Sequence, residues 1–227
     1  MTPQRVVVVI TAFVCLLGPA SAVASFIDEF DAEPGTGDGT SGGSGLNYIG
    51  FASWTITGGT VDLIAEGDFG ISCVGASGKC IDLDGSTSNA GVMTSISIPL
   101  SVGLWELSFE LAGVDSGFAQ SAAATPNVVD YSVGSFVVAQ ATRNQGDPFS
   151  TVSHQFNVTT ATNVQIVFAN QGGDHFGAML DRVRLLPVPE PSSIGLLATG
   201  LVGLAPTCPR SLSAGAARAR FSSRARC

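Results

Sequence analysis

One lysine, two histidines and only 12% charged residues are little for a chain of 227. Helical periodicity is scarce too. Outside two apolar runs near the ends, no ten-residue window places its apolar positions at helical spacing. Helix bundles and α/β folds with crossover helices are therefore excluded. There is no Gly-x-Ser-x-Gly elbow and no HExxH pair, which removes two common hydrolase chemistries. Gly75-Ala-Ser-Gly-Lys79 is no phosphate loop: its first glycine is too near the lysine, and Cys80 stands where Ser or Thr would hold magnesium. Between residues 25 and 187 the basic side chains are Lys79, Arg143, Arg182 and Arg184 against seventeen acidic ones, a formal charge of −13. Such a surface cannot neutralise phosphates, so nucleic acid is excluded as a partner. It suits an exported protein and concentrates divalent cations.

Residues 1–24 have Arg5, the apolar run 6–17 and small residues up to Ala24, the three-part layout of a secretory signal peptide. At the other end Val188, Pro189, Glu190 and Pro191 interrupt regular structure, because proline lacks a donor and fixes φ. The apolar run 194–205 follows, then Arg210, Arg218, Arg220, Arg224 and Arg226. Residues 188–227 resemble the C-terminal sorting signal of bacterial PEP-CTERM proteins. The resemblance implies export, a short C-terminal transmembrane helix as a transient inner-membrane anchor, and handling by an exosortase and the secretion machinery. The destination it implies is the cell envelope, surface or extracellular matrix of a Gram-negative-type bacterium. The arginines here are more dispersed than in that family, which dilutes the charge that holds the tail in the cytoplasm.

Residues 25–187 remain as one domain with enough length for a core. Leu104 to Leu111 alternates, with Trp105, Leu107, Phe109 and Leu111 on one face and Glu106, Ser108 and Glu110 on the other. Val152, His154, Phe156 and Val158 share a face, as do Val164, Ile166 and Phe168. Further strands are expected near residues 26–30, 80–84, 92–98, 128–138 and 178–186. Trp54 to Thr57, Gly58-Gly59 and Thr60 to Ile64 read as a hairpin. Residues 33–45, rich in glycine, read as a flexible loop or linker, and residues 119–127 as a second loop. The fold class is all-β: a single antiparallel β-sandwich, jelly-roll-like. In an oxidising compartment Cys73 and Cys80 are expected to form a disulfide.

Gly59-Thr-Val-Asp-Leu63, Cys80-Ile-Asp-Leu-Asp-Gly85, Leu107-Ser-Phe-Glu-Leu-Ala-Gly113 and Gly177-Ala-Met-Leu-Asp-Arg-Val-Arg-Leu185, in that order, resemble an exported β-sandwich module found ahead of PEP-CTERM tails. That module is similar to galactose-binding-like jelly rolls and carbohydrate-binding modules. The resemblance implies a non-enzymatic role in binding carbohydrate or extracellular polysaccharide. The alternatives are a structural surface or biofilm-matrix protein and, remotely, a glycoside hydrolase. Asp181 sits among Met179, Val183 and Leu185, so it is expected to point inward. A carboxylate there needs backbone donors or a cation. By analogy with jelly-roll modules, structural calcium would join Asp181 to Asp28, Glu29 or Asp31; a hydrogen-bonded structural aspartate is the other reading. Trp54 and Tyr131 are the candidate sugar-stacking rings. Glu106 and Glu110 are expected on a solvated face, His154 as a satisfied core or interface histidine, and His175 in a loop.

The address carries its own test. Pro189→Ala combined with Glu190→Ala is expected to leave the protein in the inner membrane of a host that has an exosortase. Fractionation checks this, and unchanged release would remove the sorting assignment.

Overall fold

A computed structural model describes residues 25–114 and 126–189. The signal peptide, the apolar run 194–205, Glu190, Pro191 and most of the 119–127 loop lie outside the described residues. Among the described residues no helix is long and apolar enough to cross a membrane.

Thirteen strands and one short 3-10 turn (Asp68–Gly70) make up the regular structure of the described residues. The strands are β1 (Phe26–Asp28), β2 (Trp54–Thr57), β3 (Asp62–Ala65), β4 (Lys79–Asp82), β5 (Val92–Ser95), β6 (Ile98–Leu100) and β7 (Gly103–Gly113). They continue as β8 (Asn127–Val133), β9 (Val137–Arg143), β10 (Ser150–Val158), β11 (Thr162–Val164), β12 (Ile166–Asn170) and β13 (Ala178–Pro187). One sheet runs β10-β7-β13-β4-β3, with β1 also on β13; another runs β2-β5-β12-β8-β9, and β6 and β11 form a two-stranded ladder of their own. All strand pairs are antiparallel. From β4 to β13 the chain passes between sheets at almost every connection, with β8–β9 as the hairpin. This is the winding of a jelly roll.

The alternation read in β7 is the one observed: Trp105, Leu107, Phe109 and Leu111 are buried, while Glu106, Ser108 and Glu110 are half-buried. The ring of Phe109 crosses the interior to meet Phe168 and Tyr131 of the other sheet edge-on, each at a centroid distance of 5.0 Å. Leu180, Val183 and Leu185 of β13 complete the shared core. Burial of these faces is what drives the sheets together.

Three expectations are corrected. The 54–64 hairpin does not form: β2 pairs with β5 in one sheet, and β3 with β4 in the other. Gly58 and Gly59 carry the chain across. Gly59 runs so close to the Asn89 and Ala90 carbonyls that a Cβ would strike them. Leu63 and Ile64 are both buried, Leu63 in the shared core and Ile64 in a second apolar cluster on the other face of β3. The strand expected over 128–138 is two, β8 and β9, joined by a tight turn in which the Phe136 N–H donates to the Val133 carbonyl. Finally, Asp181 does not share a face with Val183 and Leu185. A β-bulge between Asp181 and Arg184, with Arg182 at φ 50°, shifts the alternation. Val183 and Leu185 enter the core, while Met179 joins a second apolar cluster on the outer face of the sheet.

That outer face is covered by the segment following β3, and the Cys73–Cys80 disulfide ties the segment to β4. The glycine-rich segment is no linker: it is folded onto the same region. Asp68, 1% exposed, receives hydrogen bonds from the N–H groups of Thr40 (2.9 Å) and Ser41 (2.8 Å). The hydroxyls of Thr40 (2.8 Å), Ser41 (2.6 Å) and Ser44 (2.6 Å) donate to it as well. Gly45 and Leu63 exchange backbone hydrogen bonds of 2.8 and 2.9 Å, which caps the edge of β3. Burial alone would raise the pKa of Asp68, but the donors from Ser41, Ser44 and Thr40 hold its carboxyl well below the usual carboxylate range.

The sign of the pH effect follows. The folded chain binds this proton more weakly than the unfolded chain does. The contribution of Asp68 is therefore present above the ordinary carboxylate pKa and fades as pH falls below it. Asp68→Ala is expected to cost about 2 kcal/mol at neutral pH, since it removes five hydrogen bonds to a charged group and strands the buried Ser44 hydroxyl. Urea denaturation at pH ~7 and ~3 checks both claims: the difference between wild type and variant should shrink in acid.

Candidate functional site

Between the outer face of β3–β4 and the loops above it lies a cavity of about 370 Å³. Asp62 and Asp82 sit directly opposite each other in the β3–β4 ladder and form its polar side. Phe69, Ile71 and Leu46 line it from the covering segments, and His175 and Phe176 from the β12–β13 loop. Phe69 and Phe176 are half-buried, so part of each ring is open to the cavity's contents. Ser86 and His175 are exposed at its mouth. Its volume falls within the range of small-molecule sites, which combine apolar walls with a few placed polar groups.

The two carboxylates are held rigidly. Asp62 Oδ1 accepts the N–H groups of Asn47 (2.6 Å) and Ser86 (3.1 Å), and its Oδ2 accepts the Ser86 hydroxyl (2.6 Å). Asp82 Oδ1 accepts the N–H groups of Asp84 (2.9 Å) and Gly177 (2.8 Å). Desolvation pushes the Asp82 carboxyl well above its ordinary pKa, and the charges of Asp62 and Asp84 add to this against the backbone donors. Asp82 therefore holds its proton to higher pH than an ordinary carboxylate, and while it does so it can donate as well as accept a hydrogen bond.

The residues expected from sequence go elsewhere. Trp54 is 4% exposed, packs edge-on against Phe26, and donates its Nε1–H to Asp28 Oδ2 at 2.9 Å. Tyr131 is also 4% exposed and shares a 2.6 Å hydrogen bond with His154 Nε2. Both rings are core, because their strands turn these positions toward the opposite sheet, so neither presents a face on which a sugar could stack. A second depression of about 390 Å³, beside Ser132, Val138, Gln140 and Val167, also borders Tyr131, but only 4% of that residue is exposed there or elsewhere. Glu106 and Glu110 lie on the solvated face, receiving hydrogen bonds from Gln155 and Thr151.

The four carboxylates expected to share calcium have separate engagements. Asp28 Oδ1 accepts the Phe30 N–H, Glu29 pairs with Arg184 at 2.6 Å, and Asp31 Oδ1 accepts the Lys79 N–H at 2.8 Å. Asp181 accepts the N–H groups of Val74 (3.1 Å) and Arg182 (2.7 Å), and burial pushes its pKa up to about 6. Among the described residues, no group of three or more His, Cys, Asp or Glu side chains converges as a metal site. Val188 N–H donates to the Leu104 carbonyl (2.8 Å), and Pro189 is the last described residue.

Sequence reading passed over Asp62, Asp82, Phe69 and Phe176. The available signal was an aspartate within an apolar strand, in Val61-Asp-Leu63 and Ile81-Asp-Leu83. A buried carboxylate needs donors, and the pattern does not say where they come from.

No family model matches the chain, and no curated protein sequence matches it. Solved structures resemble it more distantly. The CBM22-1 xylan-binding domain of Xyn10C from Paenibacillus barcinonensis is 14% identical over 65% of this chain and 94% of that one, with a TM-score of 0.42. TmCBM61, solved with β-1,4-galactotriose, is 10% identical over 71% and 99%, with a TM-score of 0.44. The C-terminal CBM6 of LamC from Zobellia galactanivorans is 16% identical over 51% and 84%, with a TM-score of 0.35. At such identities and scores no residue and no ligand transfers to this chain.

Asp82 gives a prediction whose sign is opposite to that for Asp68. Here the folded chain holds the proton more tightly, so stability from this group is complete in acid and falls as pH rises above the ordinary carboxylate range. Asp82→Asn copies the protonated acid and keeps an acceptor for both N–H groups. It is expected to leave the protein folded and to flatten that fall, as read from urea midpoints between pH ~4 and ~8.

Proposed function

We propose that the described domain is a non-catalytic carbohydrate-binding module whose sugar enters the cavity over β3 and β4. The single supporting observation is the pairing of half-open rings, Phe69 and Phe176, with the fixed carboxyl groups of Asp62 and Asp82. A pyranose has an apolar C–H face and a rim of hydroxyls. The rings suit the face, while Asp62 accepts from a hydroxyl and protonated Asp82 donates to one. With the export and PEP-CTERM sorting implied by its termini, the protein would meet extracellular polysaccharide at the cell envelope or matrix.

Hydrolysis is a second reading, favoured by the same two facing carboxyl groups, one with a raised pKa as a general acid requires. Against it, Asp62 and Asp82 are only 5% and 4% exposed. Both Asp62 oxygens and Asp82 Oδ1 already accept hydrogen bonds from the protein, which suits holding a ligand better than attacking one.

A glycan array followed by titration calorimetry tests the proposal. Phe69→Ala and Phe176→Ala are each expected to weaken the selected sugar about tenfold, in keeping with loss of one ring contact. Trp54 and Tyr131 fluorescence should report an unchanged core. No glycan bound by the folded protein, or equal affinity in both variants, would reject the site. Release of reducing sugar that Asp82→Asn abolishes would establish the hydrolase instead.

A further inference from the structure

Asp84 and Asn170 present a different kind of site. Asp84 follows β4 and is fully buried; Asn170 closes β12 in the opposite sheet and is 7% exposed. Asp84 Oδ2 accepts the N–H groups of Gly173 (2.6 Å) and Asp174 (3.1 Å). Asp84 Oδ1 has no hydrogen-bond partner among the described residues, and neither does Asn170 Oδ1 or Nδ2. A buried polar atom left in this way is costly unless something satisfies it. These side chains also converge. A Cβ on Gly172 would strike both Asp84 Oδ2 and Asn170 Nδ2, so only glycine lets the loop pass between them. Exchanging the Asn170 amide atoms by a half-turn brings its oxygen to the side of Asp84.

We infer that Asp84 and Asn170 are the core of a divalent-cation site, with the oxygen chemistry of calcium, that joins the two sheets and fixes the loop 171–177. Calcium takes six to eight oxygens, including carboxylate, amide and backbone carbonyl groups. Asp84 and Asn170 supply side-chain oxygens. The Ser88 carbonyl borders Gly173, and Asp174 brings a second carboxylate in the same loop. Such a set needs only two acidic side chains, so it differs from a cluster of His, Cys, Asp and Glu. It is also separate from Asp181, Asp28, Glu29 and Asp31. The acidic body raises the local cation concentration. His175 and Phe176, which line the cavity, belong to the loop that the cation would hold.

Thermal unfolding of the protein in excess chelator and in calcium chloride at ~1 mM tests this, the range of extracellular calcium modules. Calcium is expected to raise the midpoint and chelator to reverse it, as binding to the native state alone requires. Asp84→Asn and Asn170→Leu should each remove the response, while Asp181→Asn should keep it. Asn170→Asp adds a ligand charge and should tighten calcium about tenfold in titration calorimetry; it decides the matter if Asp84→Asn fails to fold. Equal midpoints with and without calcium, unchanged affinity in Asn170→Asp, or a response lost in Asp181→Asn but kept in Asp84→Asn would overturn the inference. In the first case Asn170 simply donates to Asp84.

Discussion

Five hydrogen bonds converge on Asp68 from a stretch of chain that has almost no side chains to bury. Residues 37–45 include five glycines, each with a large conformational entropy to lose. Apolar packing cannot order such a segment. A desolvated carboxylate can, because it gathers five donors at one point and is the partner of the buried Ser44 hydroxyl. Once this segment is fixed, Leu46 is placed on one side of the cavity. The turn that contains Asp68 places Phe69 and Ile71 on another. The disulfide holds the far end of the same covering segment to β4. The cavity exists because polar bonds and one covalent link hold up walls that the jelly-roll core does not reach.

Asp68 and Asp82 are both buried aspartates, yet their proton affinities move in opposite directions. The difference lies in the donors. Asp68 has three hydroxyls and two N–H groups around it. Asp82 has two N–H groups and two nearby aspartates, so desolvation prevails. The first arrangement favours the ion and supports structure. The second favours the neutral acid, a group able to donate as well as accept. A hydroxyl-rich ligand can use both properties from a facing pair. Asp84 extends this acidic edge: its pKa is raised by burial, offset in part by the Gly173 and Asp174 donors.

Much of the strand content was legible. The period-two pattern of β7 and β10 survives folding because one face of each lies on the core. The disulfide was legible from cysteine number, since Cys73 and Cys80 are the two cysteines of residues 25–187. The misreadings have physical causes. Gly58-Gly59 carries a hairpin's local signal, but β2 and β3 take their ladder partners from later in the chain, β5 and β4. A bulge at Asp181 moves the later β13 positions to the other face, and period-two counting has no means of detecting an extra residue. Trp54 and Tyr131 were weighed as surface rings, and their strands turn them inward.

The sequence by itself determined an all-β body, the burial pattern of its longest central strand, the cysteine pair and the acidic charge. Each of these depends on composition or on neighbours a few residues apart. Only the tertiary structure decided which carboxylates meet. Asp62 faces Asp82 across a ladder, Asp68 captures residues twenty-four to twenty-eight positions away, and Asp84 nears Asn170 from the other sheet. A carboxylate's solvation and proton affinity are set by whatever surrounds it in space. In an antiparallel sandwich those surroundings come from distant parts of the chain, so no local pattern can record them.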